Sequence, residues 1–335
     1  MERTKSPVVR SLIYVALILF FLFSTIPFAW TALNSIKTPR DANSPKPEFI
    51  GFEVTGDNYT ELWLNTSLDD FAPIGFGLLL VLVVLIVVGL LANHLPVPNG
   101  MVYGGIVAVL VGVVLAIPRL VDTAKFYDFL LNSFIVTIAT TVISISIGCL
   151  AGYALARYSG LMSVVILVVA LAFRALPGMA FVLPFYYLGQ LSGLYDTHFL
   201  VILVLVAGNQ PFTIWMLRSF FMEIPQALEE AAWIDGASRL QAFIRVIIPI
   251  MWPGIITTGL FTLLSAYNAF LIPRLLTQTK WTLPVAIVQF TGGEDPGHIT
   301  LAAAASVSIT LPIVFVIIFF QKYLVKGLGF GAVKG

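Results

Sequence analysis

The sequence predicts an all-α, polytopic membrane protein with about eight transmembrane helices. Composition is the first reason: of 335 residues, 59% are hydrophobic and 10% charged, against about 25% charged in soluble domains. Mean hydropathy is +0.98. The second reason is length. Stretches at about 11–33, 74–93, 101–118, 132–156, 162–190, 198–220, 253–277 and 299–322 reach or approach the roughly 20 apolar residues that a span needs. The third is an exception to both, a polar and charged segment at 223–254 set between long apolar runs.

In chain order, the first span follows Arg3, Lys5 and Arg10 and ends in FAWTALNSIKT, which has no small-x-small cleavage site. It reads as a signal anchor. The segment 34–73 is acidic, through Asp41, Glu48, Glu53, Asp57, Glu61, Asp69 and Asp70, and reads as an external loop. The stretches 74–93 and 101–118 are dominated by Leu, Val, Ile and Gly and are joined by HLPVPNG. They form an expected lipid-facing hairpin. Later spans carry Pro177, Pro184, Pro211, Pro273 and Pro312. Helix breakers at membrane depth need neighbouring helices or water to satisfy the freed backbone groups, so these spans face a protein interior. Three regions follow: 1–71, an anchor helix and external loop; 72–120, the hairpin; and 121–335, a core containing the 223–254 loop.

An even number of spans places both termini on one side. Arg157, Arg218, Arg239, Arg245, Lys322, Lys326 and Lys334 fall on the same side as the N-terminal basic residues. The positive-inside rule makes that side the cytoplasm.

The 223–254 segment reads as two short helices. Pro225 suits a first turn, and Glu229 and Glu230 lie where the helix dipole favours negative charge. Leu228, Ala231 and Ala232 share a face. Asp235-Gly236 ends the helix, with glycine free to adopt a left-handed cap. Ser238 and Gln241 form a capping box for a second helix whose apolar face is Leu240, Phe243, Ile244, Ile247 and Ile248. Pro249 and Pro253 end it and start the next span. Such an elbow lies parallel to the membrane and offers small residues and a carboxylate to a partner. The alternative is an amphipathic helix resting on lipid; acidic Glu229, Glu230 and Asp235 disfavour it, because helices on anionic leaflets carry basic faces.

Other chemistry finds little support. The lone Cys149 excludes a disulfide within the chain and a cysteine-based metal site. His94, His198 and His298 share no ligand spacing, so no metal is assigned. The scattered basic residues and net charge of +1 give no sign of nucleic-acid binding. No Walker A pattern occurs, and no catalytic constellation appears in the spans. Asn58-Tyr59-Thr60 and Asn65-Thr66-Ser67 match short glycosylation sequons that arise readily by chance.

Glu230-Ala231-Ala232, three residues, Gly236, nine residues, then Val246-Ile247-Ile248-Pro249 resembles the EAA loop of ABC-importer permeases, with Val246 and Ile248 as conservative departures. The flanking WMLRSFFMEIPQALEEAAWIDGAS is similar to the carbohydrate-uptake, maltose-transporter-type branch. So are Asn132-Ser133, Gly152-Tyr153-Ala154-Leu155-Ala156-Arg157 and the C-terminal QKYLVKGLGFGAVKG. The resemblance covers about 11–71 and 122–335. It implies a six-span core, so the hairpin at about 72–120 is an insertion.

The resemblance implies one of two permease subunits of a type I importer for a sugar or related polyol or oligosaccharide, in a bacterial inner membrane. Partners would be a sister permease, two ATPase subunits and an extracytoplasmic solute-binding protein, besides lipid and the solute. ATP and Mg would be bound by the ATPases, leaving this chain without a cofactor or catalytic activity. Glu229, Glu230, Ala231, Ala232, Asp235, Gly236, Phe243 and Pro249 would couple to an ATPase, with Glu230 meeting a basic residue. Tyr186, Tyr187, Gln190, Asn209, Tyr267 and Asn268, with Gln210 and Ser265, are candidate pathway residues, since sugars suit aromatic faces and amide groups; bonding to neighbouring helices is the other reading. Arg174 is the one charge expected inside a core span, either functional or snorkelling from a span end. The loop 277–298, with Trp281 and Gly292-Gly293-Glu294-Asp295, is expected outside, against the binding protein or over the pathway. An ion-driven secondary transporter and a non-transporting structural subunit stay open as alternatives; the former predicts acidic pairs in spans, and none is found.

Overall fold

A computed structural model of the chain describes residues 7–46, 48–64, 68–90, 124–158, 160–290 and 297–330, with isolated helical positions between Val102 and Ala116. In order the helices are α1 (Pro7–Asn34), α2 (Pro39–Ala42), α3 (Asp57–Trp63), α4 (Leu68–Leu90), α5 (Lys125–Arg157), α6 (Leu161–Arg174) and α7 (Gly178–Ser192). Then come α8 (His198–Met222), α9 (Ala227–Ile234), α10 (Arg239–Ala242), α11 (Ile248–Tyr267), α12 (Leu271–Leu276), α13 (Leu283–Ala286) and α14 (Gly297–Phe330). An isolated antiparallel bridge pairs Lys37 with Val54.

Among the described residues, five helical runs are long and apolar enough to cross a membrane: α1, α5, α8, the continuous run α10–α11, and α14. A bent pair, α6 and α7, makes a sixth candidate. The expected single span 162–190 is thus corrected. Its two halves diverge by 89°, because Pro177 has no N–H to extend α6 and disfavours helical geometry at Leu176. The amides of Ala175 and Leu176 turn back onto Ala172 and Phe173, and Pro177 caps α7. The expected span 253–277 is also corrected. Helix runs on from Arg239 to Tyr267, then breaks before α12. Pro249 does not interrupt it, because Phe243–Ile247 forms a wider π turn and Pro249 falls in the first turn of α11. Of the expected hairpin, α4 covers the first arm as far as Leu90; the turn at 91–100 and most of 101–118 lie outside the described residues. The same holds for Asn65-Thr66-Ser67 and for Gly292-Gly293-Glu294-Asp295.

The chain divides into two compact units, Met1–Asp128 with Ile287–Ile309, and Phe129–Ala286 with Thr310–Gly335. In the first, α1 exposes apolar side chains around its circumference, Leu12, Phe20 and Phe23 among them, as a lipid-facing helix does. The segment after it is tightly built. Asn58 donates to the carbonyls of Ser35 and Lys37 at 3.0 and 2.8 Å, and Tyr59 shares a 2.8 Å bond with Ser35. Lys37 is buried, stacked on Trp30 and Phe52 and bonded to the Glu48 carbonyl. Trp63 packs edge-on against Phe126 and donates to Ser308.

The second unit holds two apolar clusters. One contains Val136, Val182, Leu200, Val204 and Leu276; the other contains Cys149, Leu217, Phe221, Phe243, Ile247 and Met251. Buried hydroxyls include Thr140 and Ser144 on α5, Thr213 on α8, and Thr258 and Thr262 on α11. Thr213 and Thr262 bond across the α8–α11 contact at 3.1 Å. Close approach of α5 to α8 depends on Gly152: a Cβ there would lie 3.1 Å from the Arg218 amide and the Leu217 Cβ. Small residues admit such backbone contact between membrane helices.

Candidate functional site

The elbow forms as expected and differs in which groups face inward. Gly236 takes φ +84°, the left-handed turn that ends α9. Ser238 and Gln241 make both hydrogen bonds of the capping box. Leu240 and Ile244, expected on a buried face, are 63% and 54% exposed, while Ala242, Phe243 and Ile247 are buried. The π turn beginning at Phe243 resets the helical register, and this moves Ile244 outward.

Two adjacent carboxylates have opposite fates. Glu229 is 3% exposed. It accepts from Arg157 Nε at 2.6 Å and from Tyr153 Oη at 2.7 Å, and pairs with Arg157 Nη2. Arg157 also donates to the Phe221 and Ile224 carbonyls at 3.1 and 3.3 Å. One guanidinium therefore ties the end of α5, the end of α8 and the elbow together. Phe243 packs beside this lock, with ring centroids 4.7 Å from Tyr153. Glu230 is exposed and lines a cavity with Tyr153, Arg157 and Glu229; Ala231, Asp235, Gly236 and Pro249 are exposed too, while Ala232 is buried. Neighbours on a helix are about 100° apart, so burying Glu229 turns Glu230 outward. The motif Tyr153…Arg157 carried the signal for this lock, as an i, i+4 pair at a span end.

The pathway candidates do not form a single site. Asn209, buried on α8, accepts from Ser265 at 2.7 Å. Both line a cavity of about 250 Å³ beside the α6–α7 break, together with Arg174, Gly178 and Phe181. Arg174 ends α6, and its guanidinium lies 4.9 Å from the Phe212 ring centre. Tyr186 lines a different cavity of about 450 Å³ with Tyr195, Arg274 and Gln278. Tyr187 is largely exposed, Gln190 and Asn268 are exposed, and Tyr267 is buried. Gln210 donates to the Ser144 carbonyl at 3.3 Å.

A second lock lies at the opposite end of this unit. Asp196 accepts from the amides of Gln278 and Thr279 at 2.8 and 2.9 Å, from Lys280, and from the Thr279 hydroxyl. Burial alone would raise the Asp196 pKa. The hydrogen bonds from Thr279, Gln278 and Lys280 overcome it and hold the carboxyl below its ordinary range. Asn132 binds the Trp281 carbonyl and His198, and Ser133 accepts from the Leu283 amide. Asn132-Ser133, expected to open a span, instead lies two turns inside α5 and fixes this loop.

Comparison with known proteins agrees with the elbow. A family model described as binding-protein-dependent transport system inner membrane component matches residues 144–329. The trehalose transport system permease protein SugB of Mycobacterium tuberculosis (strain CDC 1551 / Oshkosh) is 39% identical over 216 residues, covering 63% of this chain and 78% of that protein. The trehalose/maltose transport system permease protein MalG of Thermococcus litoralis is 35% identical over 217 residues, covering 64% and 77%. A crystal structure of a bacterial ABC transporter involved in the import of the acidic polysaccharide alginate has a chain of similar fold, with a TM-score of 0.64 at 18% identity, covering 96% of this chain and 98% of that one. The chain belongs to the family of inner membrane components of binding-protein-dependent transport systems.

Proposed function

We propose that this ABC-importer permease subunit carries a sugar or related polyol or oligosaccharide, and that its elbow receives the motion of a cytoplasmic ATPase. The observation that carries the coupling role is the Tyr153–Arg157–Glu229 lock. A push on the exposed side of α9 reaches α5 and α8 through one buried ion pair and two carbonyl bonds. Glu230 is an exposed carboxylate of α9. It meets a basic group of the ATPase, a charge-assisted contact of about 1.5–3 kcal/mol. Similarity to trehalose and trehalose/maltose permeases supports the sugar class.

In this reading a sister permease completes the pathway, two ATPases bind ATP and Mg, and an extracytoplasmic binding protein delivers solute. Both termini lie in the cytoplasm, on the elbow's side, as the basic residues favour. The segment 72–120 is an inserted hairpin at the periphery of a six-span core. The test of coupling is Glu230→Lys in the assembled transporter. Insertion of the permease is unchanged, while ATPase recovery in a pull-down and solute uptake fall roughly tenfold or more. Recovery and uptake equal to wild type would remove Glu230 from the docking contact.

A further inference from the structure

We propose that Arg174 is a specificity residue that binds an anionic group on the transported carbohydrate: a carboxylate, sulfonate or phosphate. The proposal rests on the transport reading above and names the class of solute more narrowly.

Arg174 stands at the break between α6 and α7, facing the 250 Å³ cavity. Among the described residues its guanidinium makes no ion pair. Its recorded contact is the face of Phe212, which leaves its five N–H donors free. Arg174 is exposed, and among the described residues no acidic side chain lines the cavity to neutralise it.

Two further features of the same cavity also donate. The N-terminus of α7, a helix of 15 residues, opens there at Gly178 with no side-chain cap. Its first amides lack partners within the helix, and its dipole favours negative charge. Asn209, only 6% exposed, lines the same cavity. Its Oδ1 is occupied by Ser265 Oγ, and the described hydrogen bonds give its Nδ2 no acceptor. This amide donor, on the wall of the cavity, is therefore available to a ligand atom that accepts. A cation, a helix N-terminus and an amide donor converge, with Phe181 supplying an apolar wall. Half-helix N-termini at broken spans receive anionic groups of transported solutes in the same way. A neutral solute would leave Arg174 without a counter-charge, which is the basis of discrimination.

The test uses the complete transporter, with its sister permease, ATPases and binding protein, in proteoliposomes. Uptake of three labelled probes is measured: trehalose, a uronate disaccharide and trehalose 6-phosphate. The wild type takes up at least one anionic probe. Arg174→Gln lowers that uptake roughly tenfold or more, the loss expected for one charge-assisted contact. Trehalose uptake does not fall, since the neutral solute no longer faces an unpaired charge, and Arg174→Lys restores part of the anionic uptake. The two anionic probes separate carboxylate from phosphate recognition. Transport of trehalose with no anionic uptake overturns the proposal. So does Arg174→Gln with anionic uptake unchanged, or with both solute types lost in parallel while Arg174→Lys rescues neither. Absence of uptake of any carbohydrate by the wild type overturns the sugar reading itself, and this proposal with it.

Discussion

Loss of Arg157 is predicted to release the elbow, and the geometry gives the size of the effect. Glu229 is 3% exposed and Arg157 16% at the side chain. Arg157→Ala strands a buried carboxylate with Tyr153 Oη as its remaining recorded partner. Leaving one member of a buried ion pair uncompensated costs about 3–5 kcal/mol. It also removes the guanidinium's bonds to the Phe221 and Ile224 carbonyls. Glu229→Ala is milder, about 1.5–3 kcal/mol, because Arg157 is partly solvated and keeps both carbonyl bonds. The double substitution removes both charges and costs less than the sum by about 1–3 kcal/mol. Hydrogen exchange in the solubilised complex reads this directly, at amides of α9 and its cap such as Asp235, which bonds Ala231. At 1.4 kcal/mol per tenfold, Arg157→Ala accelerates their exchange roughly a hundredfold or more, provided local opening breaks the lock. Exchange within threefold of wild type, or strictly additive single effects, would refute the argument that this pair joins elbow and spans.

Two further predictions concern the rest of the chain. Excising 74–118 and bridging the gap with a short linker leaves a core that inserts and co-purifies with its sister permease; failure to co-purify makes the segment structural rather than peripheral. For Asp196, a folded pKa below the unfolded value means that its stabilisation is present above the ordinary aspartate range. It is lost as pH falls through the depressed folded value. Exchange at the Gln278 and Thr279 amides, corrected for the intrinsic pH dependence, therefore accelerates on acidification. Asp196→Asn shows faster exchange already at neutral pH, and equal protection in the variant would sink the role assigned to this carboxylate.

Much of the elbow was legible because its determinants are local. A glycine that must take positive φ, a serine three residues before a glutamine, and acidic residues in a first turn act within one helical turn of themselves. The basic and acidic side chains do not say which neighbour they choose. Glu229 and Glu230 are chemically equal in the sequence. Only the approach of Tyr153 and Arg157, 72 to 76 residues earlier, separates them. The run 162–190 is apolar apart from Ser163, Arg174 and Gln190, so hydropathy joined what Pro177 divides by 89°; proline bends some membrane helices and is absorbed by others, as Pro211 is within α8. The pathway candidates were chosen as polar residues at span depth, and the fold scattered them between two cavities and the helix contacts.

By itself the sequence determined that this is an all-helical membrane protein, where its elbow lies, and how that elbow is capped and turned. These follow from hydropathy and from backbone preferences that act over a few residues. The tertiary structure decided which glutamate is buried, where the elbow helix runs on into a span through a π turn, and that Arg174 and Asn209 share one cavity. Those depend on contacts between helices far apart in the chain. Buried charges and amides find their partners by packing geometry, which no local pattern encodes.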